Sequence, residues 1–533
     1  MNSQNVTAEQ WRQIILEFES RKDYDNPFLD VQITAVFTGP SGRRIPREAY
    51  WDGGRSYKVA FAPTEPGTWN WILEAPEETG LGGMSGIIEC RTYTGELEIY
   101  RHGFLKVHPS GRYLVYHDGT PFFWLGDTHW EFAYRESWEH SNHPHMDSMF
   151  LGMAKHRVDQ GYNVYQTNLR SDKAMGGEER YWTQKAGDDL PNVEFYQKEL
   201  DRRMYALADL GLVNALGFAW FMSVKDQVEH EKNLARYIVA RYGALPVVWT
   251  LAGEAAGYSG EPLRSQYLEG WLEVAKYLES IDGYGSLQTA HYTNERPFAD
   301  YYQEESWFDF TLNQAGHGDY PISPAHYRDF RRKYPGKPFI EGEALYEFCS
   351  TLEELGTRMC TADMLRRVAY ISIQLGGCGY TYGAQGIWDC VWEKGQSNSM
   401  ALFNRFDVTW YEAIDGIGGR QMGYMKQFYE ENRFWEMLPY TGCGEEDRLL
   451  FAKKAPLVTV NEERTRAVVY YGDTCRKGAL VEGMENGTYR FRWFDPRTGE
   501  YAEEGTMTLE DKGLMLPAKE KSGDWLLSAE RTV

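Results

Sequence analysis

The sequence predicts an α/β fold, a (β/α)8 TIM barrel flanked by an N-terminal and a C-terminal β-sandwich domain. Eight short apolar runs alternate with amphipathic stretches in the middle of the chain, and both ends alternate polar and apolar residues between turn signals. A length of 533 residues also exceeds what one hydrophobic core organises. We therefore expect three domains, over residues 1–98, 99–438 and 439–533.

The two ends of the chain predict strands separated by turns. Near the N-terminus, DVQITAVFTGPSG, SYKVAFAPTEPGTWNWILEA and SGIIECRTYTG alternate apolar and polar side chains between Pro, Gly, Asn and Asp clusters. This pattern is typical of a small Ig-like β-sandwich. The C-terminal segments RAVVYYG, GTYRFRWFDPRTGEY and GDWLLSAE have the same texture and predict a second β-domain.

The middle of the chain has the pattern of a parallel sheet covered by helices. Amphipathic stretches such as SMFLGMAKHRVDQGY separate the apolar runs. Eight such units over about 300 residues match the size of a (β/α)8 barrel. No GxGxxG or P-loop motif opens the first unit, which disfavours a doubly wound sheet. The eight runs are 122–130, 162–169, 212–220, 247–254, 286–293, 309–318, 338–345 and 376–383.

Charge and cysteine content exclude several classes of function. The net charge is −22 and basic residues do not cluster, so neither nucleic acid nor a membrane is an expected partner. No apolar run approaches the roughly 20 residues that span a bilayer, and the N-terminal residues lack an apolar signal segment. The 7 cysteines are scattered without ligand spacing, so we expect no metal, no other cofactor and no disulfide framework. The sequence predicts a cytoplasmic protein and leaves homo-oligomer formation open.

Polar residues that close the apolar runs are the candidates for an active site, because strand ends form the functional face of such a barrel. Aromatic residues make up 15% of the chain, and their faces suit sugar rings. The candidates are Asp127, His129, Trp130, Asn168, Trp220, Glu254, His291, Gln314, His317, Glu341, Glu343, Tyr382 and Trp388.

Two carboxylates on this rim predict the chemistry. Glu254 closes VVWTLAGE on the fourth run and Glu343 closes the seventh, so the two can face each other across a ligand. Hydrolysis of a glycosidic bond needs a carboxylic acid that protonates the leaving oxygen and a carboxylate that attacks, or activates water at, the anomeric carbon. We expect Glu254 to start protonated and Glu343 to stay ionised. The distance between the two carboxyl groups distinguishes retention from inversion.

The stretch KPFIEGEALYE, residues 337–347, carries three glutamates. Strand alternation directs Glu341 and Glu343 to the same side, but Glu343 lies one layer nearer the rim, where substrate reaches it. We expect Glu343 to react and Glu341 to be a buried partner, paired with an arginine such as Arg170. Glu347 falls past the strand and is expected to be a loop carboxylate or a supporting one.

The remaining rim residues are predicted to bind substrate, and some of them have alternatives. Asp127 binds a sugar hydroxyl, pairs with Arg170 or caps the next helix. Trp220 and Trp388 stack on sugars or pack within the core. An oligosaccharide or a glycoside is the expected ligand in each case.

Two other classes of protein compete with a two-carboxylate enzyme. His291 and His317 are expected to hydrogen-bond to substrate or to the glutamates, but together with His129 they also offer a set of metal ligands for a metal-dependent hydrolase. A carbohydrate-binding protein on an inactive barrel is the second alternative, and it requires a mispositioned carboxylate.

The motifs PFFWLGDTHWEF, VVWTLAGE, NQAGHG, KPFIEGEALYE and GYTYGAQGIW occur in this order between residues 120 and 390. Here the chain resembles the apiosidase-like glycoside hydrolases (glycoside hydrolase family 140 and its relatives), which share a clan-A-type barrel. The N-terminal and C-terminal segments are similar to β-domains often found around this barrel. The resemblance implies a retaining hydrolase that cleaves a terminal glycosidic bond in plant-derived oligosaccharides or glycosides; an endo-acting glycanase is the alternative.

The resemblance also implies roles for single residues. Glu254 is implied as the general acid/base and Glu343 as the nucleophile. The family commonly has Asp in place of Glu254, and many clan-A enzymes have Asn in place of Gly253. The group that orients the sugar 2-hydroxyl must then come from elsewhere, and Asn168 and His291 are the candidates. The two departures leave a related pentoside, a furanoside or a β-linked disaccharide unit as open as an apioside.

Overall fold

The computed structural model describes residues 4–169, 189–257, 262–292, 300–318, 324–396, 405–440, 456–510 and 513–532.

The N-terminal region consists of two β-sheets that share one hydrophobic core. The strands are β1 (Gln4–Glu9), β2 (Ile14–Glu19), β3 (Thr34–Thr38), β4 (Arg44–Glu48), β5 (Tyr50–Trp51), β6 (Ser56–Phe61), β7 (Gly67–Glu74) and β8 (Ser85–Arg91). One sheet has the order β1-β8-β7-β3-β4 and the other β2-β6-β5. Along β7, buried Trp69 and Trp71 alternate with exposed residues, as expected of a strand with one face on a core.

The middle of the chain folds into a nearly closed barrel of seven parallel strands, in the order β15-β14-β13-β12-β18-β17-β16. A short three-stranded sheet of β9 (Lys106–Val107), β10 (Leu114–Val115) and β11 (Pro121–Phe122) precedes it. The barrel strands are β12 (Trp124–His129), β13 (Val164–Asn168), β14 (Val213–Trp220), β15 (Val247–Gly253), β16 (Thr311–Gln314), β17 (Phe339–Glu343) and β18 (Gly379–Tyr382). All of their residues are buried, because helices cover the outer face and side chains fill the interior.

The predicted eighth strand is not confirmed. The fifth apolar run, residues 286–293, lies between β15 and β16 but makes only isolated parallel bridges, from Gln288 to Trp249 and from His291 to Leu312. Thr293 at its end lies outside the described residues. The other seven runs each contain one barrel strand.

Helices between the strands complete the barrel layer. They are α1 (Glu98–Arg101), α2 (Met149–Asp159), α3 (Val193–Phe195), α4 (Asp201–Asp209), α5 (Val228–Tyr242), α6 (Leu263–Ile281), α7 (Pro324–Lys333), α8 (Ala362–Gln374), α9 (Trp410–Ala413) and α10 (Ile417–Glu431). Local signals fix some of their starts: the Ser148 hydroxyl accepts from the N–H of Leu151 at the start of α2, and Thr409 and Glu412 form a capping box at α9.

The C-terminal region returns to β-structure. Its strands are β19 (Met437–Pro439), β20 (Leu457–Asn461), β21 (Arg466–Tyr471), β22 (Ala479–Val481), β23 (Gly487–Asp495), β24 (Glu500–Leu509), β25 (Leu514–Leu516) and β26 (Trp525–Arg531). Six of them form a sheet in the order β19-β20-β21-β26-β23-β24, and β22 pairs with β25. The two sheets contribute to one core around Tyr471 and Trp493. The description of both terminal regions as β-sandwiches stays a prediction.

Buried arginines join the N-terminal region to the barrel. Arg47 of β4 donates from Nη2 to the carbonyl oxygen of Val239 at 2.6 Å, at the C-terminal end of α5. Arg241 of the same helix pairs with Asp52 at 2.8 Å. A cation at the C-terminus of a helix also interacts favourably with the helix dipole.

A second buried pair joins the barrel to the C-terminal region. Arg366 of α8 donates to Asp524 from Nη2 at 2.7 Å and from Nε at 3.0 Å, and its Nη1 donates to Gln421 of α10 at 2.5 Å. Both partners of the ion pair are about 5% exposed. Such a bidentate pair is specific in direction and leaves an uncompensated charge if one partner is removed.

In the described part of the chain, no helix combines the length and the apolar character that a bilayer span requires.

We predict that Asp524→Asn lowers the free energy of unfolding by about 3–5 kcal/mol, because it leaves the buried Arg366 without its counter-charge. Denaturant unfolding followed by fluorescence measures the change. Glu503→Gln is the matched control: it removes an exposed carboxylate 3.1 Å from Lys521 in the same region, and surface pairs contribute about 0–1 kcal/mol. Equal effects of the two substitutions would contradict the role of Arg366.

Candidate active site

Glu343 closes β17 inside the barrel mouth, where only 6% of its surface is exposed. Its Oε1 lies 3.2 Å from Nε2 of His317, and its Oε2 lies 3.2 Å from Nε2 of His291. Burial raises the pKa of such a carboxyl group, but the two imidazoles outweigh burial and hold the pKa of Glu343 well below its ordinary value. Glu343 is therefore ionised at neutral pH.

A β-bulge separates Glu343 from Glu341. In the pairing of β16 with β17, Asn313 lies opposite Glu341 and the next residue, Gln314, lies opposite Glu343, so Gly342 is the extra residue. Asn313 and Gln314 are neighbours in β16 and therefore face opposite sides of the sheet. Their partners Glu341 and Glu343 consequently also lie on opposite faces. The expectation that both face the same side is wrong for this reason. A Cβ atom at position 342 would lie 2.5 Å from Cδ1 of Leu312, which explains the glycine.

Glu341 lies in a buried polar cluster on the other face. Its carboxyl group accepts from Nδ2 of Asn313 at 2.7 Å, from the N–H of Ala315 at 2.8 Å and from the hydroxyl of Tyr327 at 3.2 Å. Among the described residues it has no arginine partner, and Arg170, the predicted partner, lies outside them. Burial raises the pKa of Glu341 to about 8.

Glu254 is the first residue after β15 and is partly exposed. Its φ is 55°, and Leu251 three residues earlier has a φ of 60°, so two non-glycine residues adopt left-handed backbone where this strand ends. Such conformations are unfavourable for these residue types and persist where the surroundings impose them, which is common at functional sites. The pairing of β14 with β15 is irregular at the same place.

Gln314 and His291 connect the two carboxylates. Nε2 of Gln314 donates to Oε1 of Glu254 at 3.3 Å, while the backbone of Gln314 pairs with Glu343. The carbonyl oxygen of His291 accepts from the N–H of Ala255, the residue after Glu254. Gln314 and His291 therefore link the segments that carry the two carboxylates.

Aromatic side chains form a wall beside this pair. The Trp130 ring meets the Trp220 ring at 5.6 Å and the His291 ring at 5.5 Å between centroids, both edge to face. Nε1 of Trp130 donates to the hydroxyl of Tyr346 at 3.3 Å, and Tyr346 packs edge to face on His317 at 4.7 Å. The complete wall is a cluster separate from the main cores and comprises Trp130, Trp220, Tyr346, Cys349 and Trp388.

Several buried polar atoms around the mouth have no hydrogen-bond partner among the described residues. They include Oδ1 of Asn168, Nε1 of Trp220, Nδ1 of His291 and Oε1 of Gln314. Proteins pair nearly all buried polar groups, so a concentration of unpaired ones marks a place where a polar ligand binds. The set contains both donors and acceptors, which suits the hydroxyl groups of a sugar.

The lack of a side chain at Gly253 leaves room for the side chains of Trp220 and Asn168 in the mouth. A Cβ atom at position 253 would lie 2.6 Å from Cε3 of Trp220 and 3.0 Å from Nδ2 of Asn168. Asn168 is fixed by donating from Nδ2 to the carbonyl oxygen of Ala219 at 3.0 Å. Two side chains from the neighbouring strands thus occupy the space that a side chain before Glu254 would fill.

The structure does not bring Asp127 or His129 to the mouth. They alternate with Thr128 in β12 and with Trp130, the residue after the strand, so they face away from the mouth and towards the helix layer. Asp127 is fully buried and accepts from Nε of Arg157 at 2.6 Å and from Nε2 of His129 at 3.0 Å. Although burial raises the pKa of Asp127, Arg157 and His129 hold it below its ordinary value. Its arginine partner is thus Arg157 of α2; Arg170 lies outside the described residues.

His129 has both ring nitrogens engaged. Nε2 contacts Asp127, and Nδ1 lies 2.7 Å from Oε1 of Glu136 and 2.8 Å from the hydroxyl of Tyr165. Burial lowers the pKa of His129, but Glu136 and Asp127 raise it to about 9. The histidine is a buried cation between two carboxylates, so it is not available as the metal ligand that the metal-dependent alternative requires.

Tyr382 also lies away from the mouth. Its hydroxyl donates to Oε2 of Glu347 at 2.7 Å, and the guanidinium of Arg157 lies 5.0 Å from its ring centroid. Glu347 accepts from the N–H of Gly418 at 3.0 Å, at the start of α10, where a carboxylate is favoured. Glu347 is thus a supporting carboxylate beyond the strand.

Tyr346 is the site residue that sequence reasoning missed. It follows β17 by three residues, where strand alternation no longer indicates a direction, and it contacts Trp130 and His317. The available signal was its position in the same motif as Glu343. Arg157 and Glu136, which pair with Asp127 and His129, also lie outside the strands and had no periodic signal.

Comparison with known proteins connects this site to a family. A profile of the apiosidase-like catalytic domain matches residues 108–436, and a domain of unknown function, DUF5060, matches residues 7–75. No curated protein matches the chain in sequence.

Three solved structures share the fold. A Bacteroides vulgatus protein assigned as a glycoside hydrolase has a TM-score of 0.73 and 16% identity, over 99% of this chain and 100% of that one. A glycoside hydrolase family 5 protein from the same organism has a TM-score of 0.65 and 22% identity, over 81% and 94%. Another glycoside hydrolase has a TM-score of 0.64 and 22% identity, over 83% and 99%.

We predict that Gly253→Ala reduces kcat/KM for an aryl glycoside by about 10–100-fold, because the new methyl group displaces Trp220 and Asn168 and misplaces Glu254. The melting temperature, measured alongside, reports whether the fold persists. Gly336→Ala is the control, since nothing lies within 4 Å of a Cβ atom there. Wild-type kcat/KM in Gly253→Ala would show that the close packing at this position is irrelevant to turnover.

Proposed function

The chain belongs to the apiosidase-like family and is a glycosidase, and we propose that it is a retaining enzyme that cleaves a terminal glycosidic bond in plant-derived oligosaccharides or glycosides. The observation that carries the proposal is the state of Glu343: a buried carboxylate, kept ionised by His291 and His317, at the edge of a mouth that also holds Glu254. An ionised, desolvated carboxylate is the group that a double displacement requires.

In the proposed mechanism, a carboxylate oxygen of Glu343 attacks the anomeric carbon while Glu254 donates its proton to the departing oxygen. A covalent glycosyl-enzyme forms and the aglycone leaves as an alcohol. Glu254, now ionised, accepts a proton from water, and the water oxygen displaces Glu343 from the anomeric carbon. The free sugar leaves with its original anomeric configuration, Glu343 is again ionised and Glu254 is again protonated.

Two features support these roles. Glu254 is partly exposed, so it can exchange its proton with solvent between the two steps. Gln314 donates to Oε1 of Glu254 and so helps to orient its carboxyl group. Glu343 is held from two directions by His291 and His317, which fixes the plane of its carboxylate before substrate arrives.

We propose that Asn168 and Gln314 accept hydrogen bonds from sugar hydroxyls and that Trp220 and His291 donate to them. The unpaired atoms of these side chains support this assignment. Trp130 and Trp388 are nearly fully buried beside them, and this burial supports a recessed site rather than an open cleft. A recessed site admits the end of a glycan, which favours terminal cleavage over an endo-acting glycanase.

We also propose that residues 99–438 are the catalytic unit, an eight-unit barrel in which residues 286–293 take the place of the fifth strand. The regions 1–98 and 439–533 are then β-sandwiches that brace it. The buried contacts of Arg47 and Arg366 support this arrangement, because each ties a terminal region to a barrel helix.

We predict that Glu343→Ala lowers kcat by at least about 10⁴-fold, because no other group takes over the nucleophile's role. Sodium azide should restore turnover of an aryl glycoside, since the small anion enters the space of the missing carboxylate and attacks in its place. The measurement is a screen of aryl glycosides and plant oligosaccharides with wild type and variant. A dead Glu341→Ala beside an active Glu343→Ala would mean that the nucleophile is assigned wrongly.

We predict that Glu254→Ala separates substrates by their leaving groups. General acid catalysis contributes about 10²–10⁴-fold, so formation of the glycosyl-enzyme from unactivated glycosides should slow by that factor. A dinitrophenyl glycoside, whose leaving group needs no proton, should be affected far less in the same step. Pre-steady-state release of the phenol measures it. Glu269→Ala, on the exposed surface of α6, is the control, and an equal loss for both substrates would remove Glu254 from the acid role.

A further inference from the structure

Glu341 belongs to neither chemical step, yet its buried carboxyl group accepts three hydrogen bonds. It lies on the face of β17 that carries Phe339, and Phe339 packs on Tyr327 of α7 with 5.3 Å between ring centroids. Tyr327, Asn313 and the N–H of Ala315 all donate to its carboxyl group. The side chain thus connects β17 to both β16 and α7.

The contact with Ala315 replaces a missing ladder bond. Beyond the bulge at Gly342, the regular pairing of β16 with β17 ends at Gln314. The next N–H, that of Ala315, donates to Oε1 of Glu341 rather than to a strand carbonyl. One residue further, the N–H of Gly316 donates to the carbonyl oxygen of Glu343 at 3.1 Å, with Gly316 at a φ of 81°. The side chain of Glu341 therefore holds the C-terminal end of β16 in place through the N–H of Ala315.

The segment fixed in this way, residues 313–317, carries the groups that contact both catalytic carboxylates. Gln314 donates to Glu254 at 3.3 Å, and His317 lies 3.2 Å from Glu343. A shift of this segment changes both contacts together. A shift of the bulge also changes the face from which Glu343 projects.

We propose that Glu341 is a positioning residue of the reaction: its carboxyl group holds the bulge at Gly342 and the segment 313–317, and so places Glu343 in the mouth and Gln314 and His317 on the two carboxylates. This role rests on the proposed function of Glu254 and Glu343.

The protonation state of Glu341 is part of the arrangement. Burial raises its pKa to about 8, so the group is neutral at pH 7 and places no second negative charge on the strand of Glu343. The titratable groups around it are Tyr327 of α7, Tyr380 of β18 and Glu343 of its own strand; β16 contributes the uncharged Asn313. Its three donors favour the ionised form, but no cation among the described residues compensates the charge, so above about pH 8 an uncompensated negative charge lies two residues from Glu343.

The test compares Glu341→Gln and Glu341→Leu with the wild type. Glu341→Leu removes every acceptor of the cluster, and we expect kcat to fall by about 10²-fold with a smaller change in KM, the effect of misplaced catalytic groups. Glu341→Gln retains one carbonyl acceptor and should restore most of kcat at pH 7. With a dinitrophenyl glycoside, which needs no proton from Glu254, wild-type kcat/KM should fall above about pH 8, and Glu341→Gln should lose that limb.

Asp309 supplies matched controls. It is a partly buried carboxyl group beside the opposite end of β16. It accepts from the N–H of Gln288 at 2.8 Å, and burial raises its pKa to about 6. Asp309→Asn and Asp309→Leu should alter the melting temperature while leaving kcat and the alkaline limb as in the wild type.

Two results would overturn the proposal: a kcat in Glu341→Leu no lower than in Asp309→Leu, or the same alkaline limb in Glu341→Gln and wild type. A different result would overturn the proposed function instead. If Glu341→Ala is inactive and recovers with azide while Glu343→Ala does not, Glu341 is itself the nucleophile.

Discussion

A carboxylate that stays ionised while buried is the constraint on which this site depends. Moving an ion out of water costs several kcal/mol, and a carboxyl group normally responds by taking up a proton. Glu343 keeps its charge because His291 and His317 face its two oxygens from different segments. The aromatic wall around Trp130 and Tyr346 excludes water, which strengthens that interaction. The two histidines and the aromatic wall together therefore determine the position, the charge and the low hydration of Glu343.

The rest of the fold serves this arrangement through departures from regular structure. The bulge at Gly342 turns Glu343 into the mouth and leaves Glu341 on the outer face, and left-handed backbone at Leu251 and Glu254 ends β15. Bulges and left-handed backbone of this kind are common at functional sites. The ion cluster of Asp127, His129, Arg157 and Glu136 holds the first barrel strand against α2 from outside.

The barrel was predictable because seven of the eight apolar runs contain strands, each buried on both faces. The fifth run failed because its polar residues, Gln288 and His291, make only single bridges. Glu254 and Glu343 were predicted from their position at strand ends, and the structure connects both to Gln314; their catalytic roles are proposed. The opposite facing of Glu341 and Glu343 was not predictable, because a bulge changes which side of the sheet a residue faces without changing the sequence period. The assignment of Asp127 and His129 to the mouth was wrong because a strand-end rule ignores alternation along β12. Their partners, Arg157 and Glu136, lie outside the strands.

The central claim is that Glu343, kept ionised by two histidines, bonds covalently to the anomeric carbon. The most direct measurement is peptide mapping by mass spectrometry after inactivation with a 2-deoxy-2-fluoro analogue of an aryl glycoside that the enzyme hydrolyses. Fluorine slows the hydrolysis of the glycosyl-enzyme, so the adduct accumulates. The account predicts one added sugar on Glu343 within FIEGEALYE. An adduct on Glu341 or Glu254, or an unlabelled enzyme that releases product of inverted configuration, would contradict it.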